Sequence, residues 1–464
     1  MKSYWKQTQI PTYPKLNENK KCNICIVGAG LHGIVLAYLL KEHDVILVDQ
    51  SSFMNASSSM NTGKLTAQHS DCYHKILKKY GIEVAKDYYL HNQMAIDKVI
   101  EWHKEFTFTL TKCDTLLCSK YNQKILEKEY EAYQTLGIPG TLTKHTLSMD
   151  NQYQFHPVQL ANELLNHMPN VLCFQDTQIV RYEHNEITTL FTPNHTIQAN
   201  TVIFTNHSPT LFSEYFLFMR YKAYTSYILM KPYNYSNPFS IINIDDNNLS
   251  FRTIEENNKK YLLIAGQDYR FGILRNNPYK QLHQQTMNLS NTIHQKWQNH
   301  DYTTYDLLPF IGEIKPNIYL SFGFNLWGNT WSIASSLLLY NKIIHNIDQL
   351  AAYHPKRIKD IFTLQCITNN SKILYYLIKY YLIHFYQKPN GTIITFNNKK
   401  YGYYQNEKLT ILVNIHCPHL GCILQYNPLK QTWDCPCHAS SFTYDGSRIC
   451  GPTSKSLEHI IIKK

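Results

Sequence analysis

Two short loops near the C-terminal end of the chain each carry one cysteine and one histidine at spacings suited to a metal centre. The four residues are Cys417 and His419 in the first loop, and Cys435 and His438 in the second. Two thiolates and two imidazoles can bind a [2Fe–2S] cluster, with the thiolates on one iron and the imidazoles on the other. The same set can bind a tetrahedral zinc ion, but zinc does not explain the extra cysteine in each loop, Cys422 and Cys437. The pattern therefore favours an iron–sulfur cluster that carries electrons, with zinc as the alternative.

The residues around the second loop resemble a Rieske [2Fe–2S] domain. The matching stretches are 433–442, 445–446 and 451–452. The resemblance implies that the two cysteines and two histidines named first are the cluster ligands, and that Cys422 and Cys437 form a disulfide between the loops. It also implies that Ser440 donates a hydrogen bond toward a cluster sulfur and that Gly451-Pro452 covers the cluster.

Two residues depart from the Rieske pattern. Ala439 stands where glycine is usual, which crowds a tight loop. Phe442 stands where respiratory Rieske proteins place a tyrosine whose hydroxyl bonds a ligand sulfur. A missing donor leaves more charge on the sulfur and makes reduction harder, because such hydrogen bonds help to set the potential. The sequence therefore predicts a middling or low reduction potential, below that of quinol-oxidising relatives.

An apolar run at the front of the chain, residues 24–27, leads into a glycine-rich turn that is followed by a helical pattern. The turn contains Gly28, Gly30 and Gly33, and a second apolar run ends in Asp49. Between a strand and a helix, this spacing is a dinucleotide-binding fingerprint. Gly28 permits the tight turn, Gly30 lets the backbone approach a pyrophosphate, and Gly33 lets the helix pack on the strand. We expect the helix N-terminus to face the phosphates and Asp49 to bind ribose hydroxyls.

The fingerprint alone does not distinguish NAD from FAD, but five further segments resemble FAD oxidoreductases of the D-amino-acid-oxidase type. They are residues 55–69, 154–157, 201–206, 308–312 and 322–330. The resemblance implies FAD as the cofactor, with the first segment beside the flavin ring. It also implies a helix over 332–344 whose N-terminus stabilises negative charge on the flavin. The implied cofactor-binding residues, besides those of the fingerprint, are Thr62, Gly63, Lys64, Thr205, Gly323, Phe324 and Asn325.

Together the two halves resemble a bacterial family of D-amino-acid-oxidase-like flavoproteins with a C-terminal Rieske domain. The resemblance implies an α/β FAD-binding domain (Rossmann-like, glutathione-reductase-type), an antiparallel β-sheet substrate domain and a small all-β Rieske domain. We expect the flavoprotein at 1–345, a helical linker at 346–390 and the Rieske domain at 391–464. Within the flavoprotein, we expect the FAD-binding part at about 20–105, 150–210 and 300–345, and the substrate part at 106–149 and 210–295.

Three basic residues are candidates for the chemistry beside the flavin. In this flavin class a C–H bond next to nitrogen or oxygen gives hydride to the flavin. The protein orients the substrate and supplies the electrostatic environment. Lys64 and His69 lie in the second half of the flavin segment, and they either polarise the reacting groups or only tie the loop down. Arg252 lies in a strand-like run, where it either clamps a substrate carboxylate or lies on the surface. Arg220 and Arg270 are weaker candidates for the same clamp.

The composition is that of a globular chain of two or three domains, with 44% hydrophobic and 17% charged residues in 464. The net charge of +11 permits a nucleic-acid or anionic-membrane partner, but the lysines are scattered and no nucleic-acid motif appears. The most apolar stretch, 373–386, contains Lys379 and His384, which predicts an amphipathic helix with possible membrane contact and not a transmembrane segment. No signal peptide is read at the N-terminus, which predicts a cytoplasmic location.

The sequence therefore predicts a flavin-dependent oxidoreductase. We expect it to exchange electrons between a small amine, amino acid or hydroxy acid at FAD and an external one-electron partner through the Rieske cluster. That partner is expected to be a protein or a quinone-like molecule, and no nucleic acid is expected. The alternative is a non-catalytic relay, in which flavin and cluster only pass electrons between protein partners.

Overall fold

A computed structural model describes residues 3–209, 211–212, 214–245, 249–273, 277–382, 390–397, 399–407 and 409–463. Its helices are α1 Leu31–Leu39, α2 Tyr73–Tyr80, α3 Ile82–Glu105, α4 Gln123–Leu136, α5 Pro157–Asn166, α6 Pro278–Gln285, α7 Gly328–His345 and α8 Leu364–Leu382. Short 3-10 helices lie at Tyr4–Gln7, Ser57–Ser59 and Glu214–Met219. The strands are β1 Lys20–Val27, β2 Val45–Val48, β3 Lys64–Leu65, β4 Leu110–Cys118, β5 Thr146–Phe155, β6 Leu172–Phe174, β7 Arg181–His184, β8 Thr188–Phe191, β9 Thr196–Phe204, β10 Tyr221–Pro232, β11 Phe239–Asn243, β12 Ser250–Glu256, β13 Lys259–Arg270, β14 Gln295–Thr304, β15 Phe310–Lys315, β16 Ile318–Phe322, β17 Ile393–Phe396, β18 Lys399–Gln405, β19 Leu409–Asn414, β20 Gln425–Asn427, β21 Thr432–Asp434, β22 Ser441–Thr443, β23 Arg448–Cys450 and β24 His459–Lys463.

The first sheet forms the centre of the α/β domain, in the order β15-β16-β9-β1-β2-β6, with β7 and β8 attached beside β9. Strand β1 pairs in parallel with β2 and β9, and β2 pairs in parallel with β6. The apolar runs at the end of β1 and throughout β2 are buried, as in parallel strands covered on both faces. Because β1 and β2 are parallel neighbours, their ends bring Gly28 and Asp49 to the same edge of the sheet.

The second sheet contains eight strands in the order β14-β10-β13-β12-β11-β4-β5-β3. Neighbouring strands in this sheet are antiparallel, except for the parallel pair β11 and β4. One face packs toward the α/β domain, whereas the other packs on α6 through residues such as Leu229 and Leu282. The domain boundaries expected at residues 150 and 300 fall inside β5 and β14. Both strands pair within the second sheet at both of their ends, so neither is divided between two domains.

Helix α7 begins four residues before the predicted range of 332–344 and ends one residue after it. The earlier start has a local cause, since Asn329 and Thr330 in the first turn donate to the carbonyls of Lys64 in β3 and of Thr66 directly after it. The predicted flavin helix therefore begins directly at the glycine-rich loop. Its N-terminus lies against residues 64–66.

The segment between the flavoprotein and the Rieske domain is only partly helical. Residues 346–363 form turns, α8 follows, and residues 383–389 of the expected linker lie outside the described residues. Two buried ion pairs hold the turns to the α/β domain, Arg220 with Asp360 and Arg357 with Asp306. Arg220 is therefore a structural residue, because its guanidinium is already occupied by a carboxylate. Among the described helices, none is long and apolar enough to cross a membrane.

The C-terminal region consists of two antiparallel four-stranded sheets, as expected for a small all-β domain. One has the order β17-β18-β19-β24, and the other has the order β20-β21-β22-β23. Their shared core contains Trp433, Phe442 and the cysteines of both loops. The second sheet carries the loop with Cys435 and His438 between β21 and β22, which fixes both ends of that loop.

Candidate flavin and iron–sulfur sites

The glycine-rich turn joins β1 to α1 with no space for side chains at its glycines. Gly28 has a φ of +115°, and a Cβ on Gly33 would lie 1.8 Å from the Gly28 carbonyl oxygen. A Cβ on Gly30 would lie 2.8 Å from the Ser58 hydroxyl, which accepts a hydrogen bond from the Leu31 N–H at 3.0 Å. The first turn of α1 thus offers backbone donors at a crowded, positively polarised helix end, which suits a diphosphate.

Asp49 is fixed at the end of β2 beside this turn. Its carboxylate accepts bonds from the Ala29 N–H at 2.8 Å and from the backbone and hydroxyl of Ser51 at 2.9 and 3.0 Å. Burial raises the pKa of Asp49, and these bonds partly offset the shift. Thr205 donates to the carbonyl of the first glycine at 2.7 Å, and the adjacent Asn206 Oδ1 is buried with no partner among the described residues. A buried acceptor that lacks a donor fits a ligand rich in hydroxyl and amino groups.

Strand β3 and the residue after it lie against the N-terminus of α7. Thr330 donates its hydroxyl proton to the Thr66 carbonyl at 2.9 Å, and Asn329 Nδ2 donates to the Lys64 carbonyl at 3.0 Å. These bonds place the predicted flavin segment against the positive end of the α7 dipole. Negative charge that develops there is therefore favoured.

Asn325 shapes the loop before α7. It has a φ of 54°, and its side chain accepts the Thr304 N–H at 2.7 Å and donates to the Leu307 carbonyl at 2.9 Å. Its backbone N–H donates to the Tyr302 carbonyl at 3.2 Å. Because the amide is occupied by the protein, Asn325 positions the loop and its side chain is not left for a cofactor.

The other two residues predicted in this loop also have structural contacts. Gly323 has a φ of +77°, and a Cβ there would lie 2.9 Å from Thr304 Cγ2. The Phe324 ring lies 5.7 Å from the His32 ring. Burial lowers the pKa of His32 to about 3, so the imidazole is neutral, and its Nε2 pairs with the Ser335 hydroxyl at 3.2 Å. His32 thus joins α1 to α7.

Arg252 and Lys64 place two buried positive charges beside the flavin segment. Arg252 donates to the Thr62 carbonyl at 2.7 Å and to Gln154 Oε1 at 3.0 Å, and Lys64 Nζ donates to the Ile241 carbonyl at 2.9 Å. Burial lowers the pKa of Arg252 to about 10 and that of Lys64 to about 7. Within the described part of the chain, no carboxylate forms an ion pair with either cation, so an anionic ligand would be stabilised by both.

The Gly63 backbone and the Trp5 ring both lie close to the Arg252 guanidinium. Gly63 has a φ of +69°, and a Cβ there would lie 2.1 Å from Arg252 Nη1. The guanidinium also lies 5.1 Å from the centre of the Trp5 ring. Across the sheet, Ser240 pairs with Arg252 and Thr115 pairs with Ser240. Both of these hydroxyls are buried, and neither has a partner among the described residues.

His69 is held by its own contacts. Its Nδ1 pairs with the Tyr88 hydroxyl at 2.8 Å, and its Nε2 pairs with the Thr66 carbonyl at 2.8 Å. The ring stacks on Trp327 at 4.6 Å, and burial lowers the pKa of His69 to about 3. With both nitrogens occupied, His69 fits the alternative in which it ties down the loop, and these contacts give no support to a catalytic role.

The two cysteine–histidine loops meet as the metal-site prediction requires. The Cys417 and Cys435 thiols share a hydrogen bond, which lowers the pKa of Cys417 and raises that of Cys435. The rings of His419 and His438 lie 5.0 Å apart. Phe442 is fully buried in the core that contains both cysteines. Two thiols that bond each other and two imidazoles that contact each other supply the two sulfur and two nitrogen ligands of such a centre.

The surrounding residues hold the loops tightly. A disulfide joins Cys422 to Cys437 and so connects the two loops. Ser440 is fully buried, and its hydroxyl has no hydrogen-bond partner among the described residues, which leaves it for a ligand. Ala439 adopts a φ of 64°, a conformation that glycine would adopt without strain. A Cβ on Gly451 would lie 2.3 Å from Ser440 Cα, so the strand that leads into Pro452 lies directly on the loop.

The second cluster loop packs on the substrate sheet. Gly272 has a φ of +75°, and a Cβ there would lie 2.8 Å from Pro436 N and 2.9 Å from the carbonyl carbon of Cys435. Arg270 Nε donates to the Pro436 carbonyl at 3.2 Å. Arg270, the second weaker candidate for a carboxylate clamp, therefore attaches the Rieske domain to the substrate domain.

Tyrosines fill the space between this loop and the flavin side of the chain. Ala439 belongs to the same buried cluster as Tyr221 and Tyr302, whose ring centres lie 4.7 Å apart. Tyr302 is in turn bonded through its carbonyl to Asn325. Protein atoms in direct contact thus extend from the loop before α7 to the cluster loop.

A sequence model of the FAD dependent oxidoreductases, the DAO family, matches residues 23–341, more than half of the chain. The chain belongs to the DAO family. A second model, of the Rieske [2Fe-2S] domain, matches residues 391–460. The protein is therefore an FAD-dependent oxidoreductase with a Rieske [2Fe–2S] cluster, which confirms the predicted family, fold and cofactors.

Individual proteins resemble the whole chain or its parts. "Putative Rieske 2Fe-2S iron-sulfur protein YhfW" of Bacillus subtilis (strain 168) is 29% identical over 505 residues, which covers 99% of this chain and 97% of that protein. The "Cytochrome b6-f complex iron-sulfur subunit 3" of Nostoc sp. is 46% identical over 43 residues, 9% of this chain and 24% of that protein. Glycine oxidase from Geobacillus kaustophilus has a similar fold, with a TM-score of 0.60 at 14% identity, over 73% of this chain and 100% of that structure.

Sequence patterns do not single out several residues that the structure brings to these sites. Ser240, Thr115, Gly272, Tyr221 and Tyr302 come from separate strands and loops. Their positions depend on strand register and on domain packing, which no local spacing reveals. Gln154 had a weaker signal, because it lies in the stretch 154–157 that resembles the flavoprotein family.

Proposed function

We propose that this protein exchanges electrons between a small carboxylate substrate, an amino acid or a hydroxy acid, at FAD and an external one-electron partner through the Rieske cluster. When bound, FAD takes up two electrons from a C–H bond, and a Rieske cluster carries one electron at a time. The observation that carries the proposal is the pair of buried cations, Arg252 and Lys64, whose protein partners are all neutral.

Physical reasons favour a carboxylate over a neutral amine or alcohol. Two buried cations are costly unless an anion or a set of hydrogen bonds compensates them. A carboxylate would compensate both, because a guanidinium can donate two parallel bonds to it. The unpartnered hydroxyls of Ser240 and Thr115 lie in the same row of the sheet and would supply further donors. In this role Arg252 binds the substrate, and Lys64 supplies charge beside it.

The contacts between the domains support the electron-exchange half of the proposal. We assign Cys417 and Cys435 to one iron and His419 and His438 to the other. The cluster loop packs on Gly272 with a backbone contact that excludes even a methyl group. The two sites therefore belong to one packed unit, in which electrons need not cross solvent between them.

The remaining assignments concern the flavin. We assign the three fingerprint glycines to the diphosphate and Asp49 to a ribose. Thr62, Gly63 and Lys64 form the segment beside the ring, and the α7 N-terminus stabilises charge on it. Thr205 and residues 323–325 position these segments through their own contacts with the protein. This division follows from their hydrogen bonds, since the Asn325 amide is occupied by Thr304 and Leu307.

The test is anaerobic mixing of the purified protein with matched substrate pairs. Each amino acid or hydroxy acid is compared with the amine or alcohol of the same skeleton that lacks the carboxylate. Glycine belongs in the panel because the structurally similar glycine oxidase is named for it. Loss of flavin absorption, followed by the EPR signal of a reduced cluster, is expected with carboxylates only.

Three outcomes would contradict the proposal. Equal flavin reduction by amines without a carboxylate would show that the two cations do not select the substrate. Reduction by a reduced ferredoxin or flavodoxin, with every small molecule inactive, would favour the relay. Flavin reduction that never reaches the cluster would reject the link between the two sites.

A further inference from the structure

The segment between the flavoprotein and the Rieske domain presents large apolar side chains to solvent. Phe362 is 78% exposed and Leu364 is 75% exposed, and Ile367 and Leu374 are each 58% exposed. Within α8, positions 364, 367 and 374 recur at helical spacing and lie on one side of the helix. We call Phe362, Leu364, Ile367 and Leu374 the apolar stripe.

The opposite side of α8 is fixed to both domains. Cys366, Asn369 and Ile373 are buried. The Asn369 side chain donates to the Tyr305 hydroxyl, and Ile373 belongs to the core of the Rieske domain. The helix therefore cannot rotate to bury its apolar stripe without losing these contacts. The stripe faces outward because the packing of two domains holds it there.

The charge around the stripe has one sign. Lys356, Lys359 and Lys372 are exposed, and the only acidic residue between 349 and 375 is Asp360. Asp360 is fully buried and paired with Arg220. From residue 361 to 406 the sequence contains five lysines and no aspartate or glutamate. The exposed apolar groups thus lie in a stretch of chain, residues 349–406, that carries exposed lysines and no exposed acid among the described residues.

From these features we infer that the apolar stripe and its lysines bind the surface of an anionic lipid bilayer. Apolar side chains flanked by lysines on a helix that does not span are the pattern of an interfacial helix, whose binding adds apolar burial to attraction by anionic headgroups. A second copy of this chain fits poorly, because a symmetric contact would place the same lysines opposite one another. A neutral apolar protein partner would leave the lysines without a counter-charge.

The position of the stripe gives this contact a consequence for electron transfer. Met219 lies against α8, since its carbonyl accepts the Asn370 Nδ2 at 3.0 Å. The ring centre of the neighbouring Phe218 lies 5.1 Å from that of His419 and 5.2 Å from that of His438. A bilayer on the stripe would therefore lie on the histidine side of the cluster, where a lipid-dissolved one-electron carrier can approach. This consequence rests on the proposed function, whereas lipid binding does not.

The test is flotation of the full-length protein, loaded with FAD and cluster, with vesicles of phosphatidylcholine alone or mixed with phosphatidylglycerol. The wild type should float with the anionic vesicles and remain behind with the neutral ones. The triple variant Phe362→Ser, Leu364→Ser, Ile367→Ser should lower the bound fraction by about ten-fold or more. The triple variant Lys356→Glu, Lys359→Glu, Lys372→Glu should abolish the preference for phosphatidylglycerol.

Matched controls separate lipid binding from general surface effects. Leu90 and Ile187 are each 47% exposed on the flavoprotein, and Leu90→Ser with Ile187→Ser should leave flotation unchanged. Flavin and cluster absorption and the melting temperature establish that each variant is folded. A wild type that does not float with anionic vesicles would overturn the inference, and so would an apolar variant that floats as well as the wild type. A wild-type dimer that the apolar variant converts to a monomer, without vesicle binding, would assign the stripe to a second copy.

Discussion

Replacing Arg252 by methionine should weaken the binding of small carboxylates to the oxidised flavoprotein by roughly a hundred-fold. Of the five N–H donors of a guanidinium, one bonds Gln154 and one bonds Thr62, which leaves three without a partner among the described residues. Two of these can bond a carboxylate side by side. At about 1.5 kcal/mol or more for each charged bond, their loss costs about 3 kcal/mol, and each 1.4 kcal/mol is about ten-fold in Kd.

The assay is titration of flavin absorption with acetate and benzoate. Acetamide and benzamide serve as matched neutral ligands, whose weaker binding should not change in the variant. Arg252→Lys keeps the charge but loses the planar pair of donors, so its Kd for carboxylates should fall between those of the wild type and the methionine variant. Gly63→Ala tests position without removing charge, because its Cβ would lie 2.1 Å from Arg252 Nη1 and displace the guanidinium.

Stability must be measured beside affinity. The methionine variant leaves the Gln154 and Thr62 acceptors without a donor, at a cost of about 1–3 kcal/mol in the free energy of unfolding for each group. A lower melting temperature with full flavin content is therefore expected. Unchanged Kd values for acetate and benzoate in a variant that keeps its flavin would refute the reasoning. Arg252 would then only join β12 to the flavin segment.

Three further predictions address other parts of the molecule. Carboxylate affinity should fall above about pH 7, by at most about ten-fold per pH unit, because Lys64 with its pKa lowered to about 7 loses its positive charge there; Lys64→Met should remove this dependence. Gly272→Val should slow the passage of electrons from reduced flavin to the cluster in stopped-flow experiments while leaving carboxylate affinity unchanged, because its side chain would push Pro436 away. Phe442→Tyr should raise the reduction potential of the cluster in a redox titration, whereas Phe442→Leu should not, because only the tyrosine adds a hydrogen-bond donor near the ligand sulfurs.

Local patterns predicted the parts of the fold whose contacts are local. The turn containing Gly28, Gly30 and Gly33 needs small residues because the strand, turn and helix are consecutive in the chain. The fourth member of that fingerprint, Asp49, ends the adjacent strand, and the parallel pairing brings it back to the turn. The same holds for the two cysteine–histidine loops, since each loop is short and the resemblance covers both.

Roles that depend on distant partners could not be read from the sequence. Arg220 and Arg252 both lie in or beside strand-like runs, yet Arg220 meets Asp360 and Arg252 meets only neutral groups. The difference arises from a turn 140 residues further along the chain, which no local pattern around Arg220 reveals. Asn325 is a similar case, because no local pattern around it shows that its side-chain amide bonds Thr304.

The two histidines of the proposed ligand set do not have equivalent surroundings, and this bears on how one cluster can serve two partners. His438 is almost completely buried in the loop that packs on Gly272, whereas His419 is half-buried and precedes an exposed Leu420. One imidazole therefore lies in the protein interior, in the loop that contacts the substrate domain, and the other approaches solvent. In the proposed electron exchange, the loop that contacts Gly272 would connect the cluster to the flavoprotein, and an external partner would approach His419.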